Sequence, residues 1–148
     1  MAFHFPLQAL LHYRESCERR EFLRLEIVSR ELTIAREQAE AAKRDRERAL
    51  EDYTKKLAGG MTASELSFEL ACDRVRLSRL AACQQQALKL EELRQRQLQV
   101  FQKAQQQRKI LENLRDRQLA GYRLVQNRRE QQQVDERFLI LQRGQDSR

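Results

Sequence analysis

Apolar residues recur in the first part of the chain in alternating steps of three and four. The row contains Leu25, Val28, Leu32, Ala35, Ala39, Ala42, Arg46, Ala49 and Tyr53. This spacing predicts one face of a helix that packs along a second helix in a coiled coil. Because the alanines bury less apolar area than Leu or Ile would, we expect the pairing to be only modestly stable.

A second row of the same kind lies later in the chain and is interrupted by polar residues. Its apolar members are Leu66, Leu80, Cys83, Ala87, Leu90, Phe101, Ala104, Leu111, Tyr122 and Val125. Four polar residues share this row: Arg94, Gln97, Arg108 and Gln118. Polar groups at such positions lower stability and either set the register or mark contacts with a partner.

One strong break separates the two rows. Gly59-Gly60 ends the first helical pattern, and Thr62 with Glu65 three residues later forms a capping-box pattern for the next helix. The only proline is Pro6, so nothing else interrupts the helices. The sequence predicts an all-α fold, a long antiparallel two-helix coiled-coil hairpin with unequal arms.

We expect one coiled-coil domain over residues 1–148. Its first helix covers about residues 6–57, its turn about 58–63, its second helix about 64–141, and its frayed tail 142–148.

The longer second arm is expected to overhang the first. Pairing across the bend matches residues whose numbers sum to roughly 120, so the chain beyond about Leu114 has no partner helix. Apolar residues in this overhang are Tyr122, Leu124, Val125, Val134, Phe138, Leu139, Ile140 and Leu141. They indicate a surface for a partner. The alternatives are that Phe3 and Phe5 wrap the overhang or that it dimerises.

Charge narrows the class of partner. The chain has 29 Lys and Arg against 22 Asp and Glu, a net charge of +7, with both signs interleaved along the helices. This pattern favours a solvated surface with ion pairs, then a basic face for an acidic protein. We expect no nucleic-acid partner, because no aromatic residues interleave with the cations to stack on bases.

No combination of residues suggests catalysis or metal binding. Cys17, Cys72 and Cys83 lack metal-site spacing, and no ligand cluster joins His4 or His12. We expect no enzyme activity, no cofactor and no metal. Because no leader and no apolar run of about 18 residues occurs, we expect a cytoplasmic protein.

Both ends of the chain resemble one known family, the flagellar export protein family FliJ. The N-terminal match is Phe3-His4-Phe5-Pro6-Leu7, followed by Leu10-Leu11, Arg14 and Glu18. The C-terminal match is Asn127-Arg128-Arg129-Glu130-Gln131, then Val134-Asp135-Glu136 and Phe138. The length and the off-centre Gly-Gly turn agree as well, so the resemblance spans the whole chain.

The resemblance implies a non-enzymatic component of the bacterial flagellar type III protein export apparatus, needed for motility and chemotaxis. Such a protein is a stalk in the ring of the hexameric flagellar export ATPase and reaches the cytoplasmic domain of the export-gate membrane protein. It also escorts export chaperones. We therefore expect a protein that is monomeric on its own and peripherally associated with the inner membrane at the flagellar base.

Two groups of residues take roles from this resemblance. The expected contacts with the ATPase ring are Tyr122, Asn127, Arg128, Glu130, Gln131, Asp135 and Glu136. The expected contacts with the export gate, around the bend, are Tyr53, Leu57, Leu66 and Phe68. Tyr53 and Leu57 have the alternative of packing in the seam or the bend.

Three other functions stay open on the sequence. One is the equivalent stalk of a virulence-type III secretion system, and another is a coiled-coil scaffold or chaperone unrelated to secretion, which would dimerise. The least favoured is RNA or DNA binding, whose affinity would fall steeply with salt.

Overall fold

The computed structural model describes residues 2–145, which form two helices and no strand. Helix α1 is Gln8–Ala58, with 51 residues, and helix α2 is Ala63–Gln145, with 83 residues. The helices pack against each other in antiparallel directions. The predicted all-α hairpin with unequal arms is therefore confirmed.

The bend is built as the Gly-Gly and capping-box patterns predict. The N–H groups of Gly59 and Gly60 donate to the carbonyls of Lys55 and Leu57, both at 3.2 Å, which closes the end of α1. Gly60 has a φ of 94°, a conformation that favours glycine. The start of α2 is closed reciprocally, because the Thr62 N–H donates to the Glu65 carboxylate at 3.0 Å and the Glu65 N–H donates to Thr62 Oγ1 at 3.3 Å.

The outer ends of the helices differ slightly from the expected bounds. Pro6 and Leu7 form a turn, and α1 begins at Gln8 rather than near residue 6. Helix α2 continues through Gly144 to Gln145 rather than ending near residue 141. A glycine costs a helix only about 1 kcal/mol relative to alanine, because it keeps its N–H donor. The remainder of the expected tail, residues 146–148, lies outside the described residues.

Contacts divide the chain into two units. The hairpin unit consists of residues 19–102, and the terminal unit consists of residues 2–18 with residues 103–145. The single domain over residues 1–148 stays a prediction.

The α1 seam of the hairpin unit follows the predicted row. All nine residues of that row, from Leu25 to Tyr53, are buried or half-buried. The most buried are Leu32, Ala35 and Ala42, with exposed fractions of 3%, 5% and 3%. The heptad interpretation of α1 is confirmed.

The α2 seam of the hairpin unit contains more polar groups than expected. Its predicted members from Leu66 to Phe101, including Arg94 and Gln97, are half-buried. Glu69, Asp73 and Arg76 are half-buried as well and complete the alternation of three and four between Leu66 and Leu80. None of the seam residues of α2 in this unit reaches the burial of Leu32. The α2 side of this seam is therefore less deeply buried than the α1 side.

The terminal unit packs the N-terminal segment against α2. Leu11 is fully buried and Phe5 is 4% exposed. The ring centroids of Phe3 and Tyr122 lie 5.7 Å apart, and the interplanar angle is 52°. Phe3 and Phe5 thus cover part of α2, which was one of the alternatives for the overhang.

Two seam predictions in this unit are wrong. Gln118 and Val125 are exposed, and their neighbours Leu119 and Gln126 are half-buried instead. A straight helix has 3.6 residues per turn and drifts away from a strict seven-residue repeat, which moves the contact row by one residue here. The part of α2 with only exposed residues therefore begins after Gln126, not after Leu114.

Candidate partner-binding regions

The expected ATPase-contact residues lie at the distal end of α2, in the terminal unit. Tyr122 is half-buried beside Phe3, whereas Asn127, Arg128, Glu130, Gln131, Asp135 and Glu136 are exposed. Except for Tyr122, they lie beyond the last half-buried position of α2, Gln126. The structure thus brings six of the seven together on one exposed stretch of helix.

Four charged residues of the expected ATPase contact have no ionic partner among residues 2–145. Arg128, Glu130, Asp135 and Glu136 take part in none of the ion pairs of the described chain. Apolar side chains accompany them: Val134 is 63% exposed and Phe138 is 62% exposed. A surface that combines unpaired charges with exposed apolar groups is suited to a protein partner.

Within the terminal unit, polar contacts join the first turns of α1 to α2. Arg108 lies between Glu18 of α1 and Glu112 of α2 and donates a hydrogen bond to each carboxylate. Arg14 donates to the Gln107 side-chain carbonyl at 2.6 Å. The pKa of Arg108 lies above its ordinary value, since its two carboxylate partners favour the charged form more than burial opposes it. These contacts hold the first turns of α1 against α2.

The expected gate-contact residues lie around the bend, in the hairpin unit. Tyr53 and Leu66 are half-buried, whereas Leu57 is 49% exposed and Phe68 is 68% exposed. Phe68 and Met61 line an open cleft beside the two glycines of the bend. Leu57 and Phe68 are therefore available to a partner, and Tyr53 and Leu66 pack mainly in the seam.

A buried polar contact lies far from the bend in the hairpin unit, and the burial of Glu21 in it was not expected from the sequence. The Glu21 side chain is 6% exposed, and its carboxylate accepts a hydrogen bond from Gln97 Nε2 at 2.7 Å. The same nitrogen also donates to the Glu21 backbone carbonyl at 3.1 Å. The Gln97 bond, aided by Arg24 and Arg20, holds the pKa of Glu21 below its ordinary value against the opposing effect of burial.

Two further charged contacts bridge the helices of the hairpin unit. Arg36 donates to the Glu91 carboxylate at 3.0 Å, and Arg94 donates to it at 2.8 and 3.2 Å. The hydrogen bonds from Arg94 are the main reason that the pKa of Glu91 is lowered. Arg46 donates to both oxygens of Asp73, at 3.0 and 3.2 Å. The continued alternation of three and four through polar residues was the signal that could have revealed Asp73.

Among residues 2–145, no three His, Cys, Asp or Glu side chains are grouped closely enough to hold a metal ion. No helix within the same residues is both long and apolar enough to span a membrane.

Comparison with known proteins identifies the family. The family model described as "Flagellar FliJ protein" matches residues 3–146, nearly the whole chain. No curated protein and no solved structure matches the chain. Because the matched region includes both helices and the bend, the chain belongs to the FliJ family of flagellar proteins and is a component of the flagellar type III export apparatus.

Proposed function

We propose that the protein is a non-enzymatic stalk in the ring of the hexameric flagellar export ATPase. The observation that supports this role most directly is the distal stretch of α2, where every residue from Asn127 to Gly144 is exposed. A single helix that carries exposed charged and apolar groups lacks the second surface that a coiled-coil helix normally packs against. The inner wall of a ring would supply that surface.

Within this stretch, we assign the ring contact to Asn127, Arg128, Glu130, Gln131, Asp135 and Glu136, together with Tyr122. Arg128 and Glu130 are of opposite sign, so the matching surface of the ring carries both signs too. Tyr122 has a different role from the others, because its ring already packs against Phe3. It anchors the base of the stretch while the exposed residues contact the ATPase.

We assign the export-gate contact to the bend. Leu57 and Phe68 offer exposed apolar surface there, and Tyr53 and Leu66 support them from the seam. In this arrangement the protein works in the cytoplasm, is associated peripherally with the inner membrane through the gate protein, and escorts export chaperones. It is monomeric before it binds.

The test uses the full chain and two double variants with equal numbers of charge changes. In Arg128→Glu with Asp135→Lys, both changed residues belong to the proposed ring contact. In the control, Arg74→Glu with Glu47→Lys, both residues are exposed in the hairpin unit and lie outside both proposed contacts. Helicity is measured by circular dichroism, binding by pull-down with the purified export ATPase of the same organism, and function by swimming in soft agar.

We expect the first variant to keep its helicity and to lose both ATPase binding and swimming, while the control keeps all three. Normal binding and swimming of the first variant would show that the ring contact does not lie in this stretch. If wild-type chain fails to bind the ATPase and runs as a dimer on size exclusion, an independent scaffold becomes the better account.

A further inference from the structure

The middle of α2 in the terminal unit presents cations on the side that faces away from α1. Lys103, Lys109, Arg117 and Arg123 are all exposed. Ile110 and Leu124 lie between them and are 66% and 61% exposed. We call these six residues the outer basic face.

The positions of these residues follow the heptad repeat. Lys103, Ile110, Arg117 and Leu124 are spaced by seven residues and therefore form one line, which winds around the helix by about 20° per heptad. Lys109 and Arg123, fourteen residues apart, form a second line beside it, and Asp116, the ion-pair partner of Arg115, lies midway between them. The half-buried seam positions of this region, such as Ala104, Arg108, Leu111 and Arg115, are on the opposite side. Lys103, Lys109, Ile110 and Arg117 are thus separate from the contact with α1, whereas Arg123 is adjacent in sequence to the half-buried Tyr122.

The cations of the outer basic face differ from the other cations of the same stretch in their pairing. Arg108 pairs with Glu18 and Glu112, and Arg115 pairs with Asp116 at 3.2 Å. Within residues 2–145, the four cations of the outer basic face take part in no ion pair. Internal carboxylates therefore balance the seam cations and leave the outer ones unbalanced.

We propose that the outer basic face binds an acidic helical segment of another protein, which lies along α2 with carboxylates and apolar residues at seven-residue intervals. Charge complementarity predicts that the contacting surface of the partner is negatively charged. Ile110 and Leu124 lie fourteen residues apart, in line with the cations. This spacing predicts that the partner segment is a helix, since another helix repeats its side chains on the same period.

Two other classes of partner fit this face less well. A lipid surface requires large apolar residues in the centre of the face, whereas Gln106, Asn113 and Ala120 occupy the row between the two lines. A nucleic acid would use stacking residues, and none of the six residues is aromatic. Ile110 and Leu124 would also contribute nothing to phosphate binding. This inference does not depend on the ring contact of the distal stretch.

The test is photo-crosslinking of the full chain in the cells that express it. A photoreactive amino acid replaces Ile110 or Leu124, and the matched control replaces Leu88, which is 67% exposed in the hairpin unit. Crosslinked peptides are identified by mass spectrometry. We expect positions 110 and 124 to link to one protein segment that carries Asp or Glu at intervals of seven or fourteen residues, and position 88 not to reach it.

Charge reversal supplies the second readout. Lys103→Glu, Lys109→Glu, Arg117→Glu and Arg123→Glu together should lower the crosslink yield at positions 110 and 124 by at least about tenfold, because four favourable pairs become repulsive. The matched control reverses Lys43, Arg48, Arg74 and Arg79, four exposed cations of the hairpin unit without ion pairs, and should keep the yield. Circular dichroism checks both variants, and a set with Gln in place of Glu replaces the first if it loses helicity.

Four outcomes would overturn the inference. They are crosslinks to lipid, crosslinks to nucleic acid, equal loss of yield in both charge-reversed variants, and no crosslink from either position. A crosslink only to the export ATPase at a segment without regular carboxylates would overturn it as well, while leaving the proposed ring contact intact.

Discussion

Gln97 of α2 donates its side-chain amide to the Glu21 carboxylate at 2.7 Å and to the Glu21 backbone carbonyl at 3.1 Å. A single side chain thus satisfies two acceptors of a residue that is 6% exposed. Without it, the carboxylate would keep only its contacts with Arg20 and Arg24 of its own helix. This pair is the most buried polar link between the two helices.

Replacing Gln97 should therefore lower the stability of the hairpin. We expect Gln97→Ala to reduce the free energy of unfolding by about 1–3 kcal/mol, because one oxygen of a buried carboxylate loses its cross-helix donor. Gln99→Ala, at an exposed position, should change it by less than about 0.5 kcal/mol. Urea unfolding followed by circular dichroism measures both. Equal effects of the two variants would show that the Glu21 contact contributes nothing specific.

Stability should also depend on acid. Glu21 and Glu91 have pKa values below their ordinary value of 4.5. Because folding lowers these pKa values, the stabilisation is complete above about 4.5 and is lost as the pH falls through the lower, folded-state pKa values. The melting temperature should thus decrease as the pH is lowered below 4.5.

The variant Glu21→Gln isolates the contribution of one carboxyl to this acid effect. We expect its melting temperature to depend less steeply on pH below 4.5 than that of the wild type, since one linked proton is removed. The control Glu37→Gln changes an exposed residue outside the ion pairs and should keep the wild-type slope. A Glu21→Gln slope as steep as that of the wild type would contradict the assignment.

The two glycines of the bend should respond in opposite directions to alanine. Gly60 has a φ of 94°, so Gly60→Ala should cost about 1–2 kcal/mol. Gly59 lacks this constraint, and a Cβ there would meet the Lys56 carbonyl oxygen at 3.6 Å, an ordinary contact. Gly59→Ala should thus be neutral or stabilise by up to about 1 kcal/mol. Thermal unfolding of the two variants compares them, and a Gly60→Ala protein as stable as the wild type would show that the bend can re-form otherwise.

The contact between Arg46 and Asp73 should couple the helices measurably. Both side chains are 28% exposed and share two hydrogen bonds. A double-mutant cycle to alanine should give a coupling of about 1 kcal/mol, at the upper end for pairs that water partly screens. The control cycle uses Glu92 and Arg96, which lie 3.9 Å apart and are 71% and 77% exposed, and should give a coupling near zero. Indistinguishable couplings in the two cycles would mean that the bidentate geometry adds nothing.

The fold could be predicted because its determinants are local. A row of small and apolar residues from Leu25 to Tyr53 decides which side of α1 is buried, and Gly60 with the Thr62–Glu65 cap decides where the chain turns. The polar part of the seam was harder to predict. Asp73 and Glu69 resemble solvated helix residues in the sequence, and only their cross-helix cations, Arg46 and Lys56, justify their burial.

The limits of a strict heptad appear near the end of the pairing. A seven-residue repeat assigns Gln118 and Val125 to the seam, yet a helix with 3.6 residues per turn presents Leu119 and Gln126 there. The proposed roles of Arg128 and Phe68 toward partners were not predictable from periodicity. A residue that serves a partner has no signature in the chain's own packing, so these roles rested on resemblance to the family.

The bend also determines the order in which the hairpin can close. Lys56 and Glu69, beside the bend, are separated by 13 residues in the sequence, whereas Glu18 and Arg108 are separated by 90. Because short loops lose less entropy on closing, we expect pairing to start beside Gly59-Gly60 and to proceed outward from the bend. During synthesis α1 leaves the ribosome before α2. Phe3 can contact Tyr122 only after almost the whole chain has been synthesised. We therefore expect the terminal unit to form last.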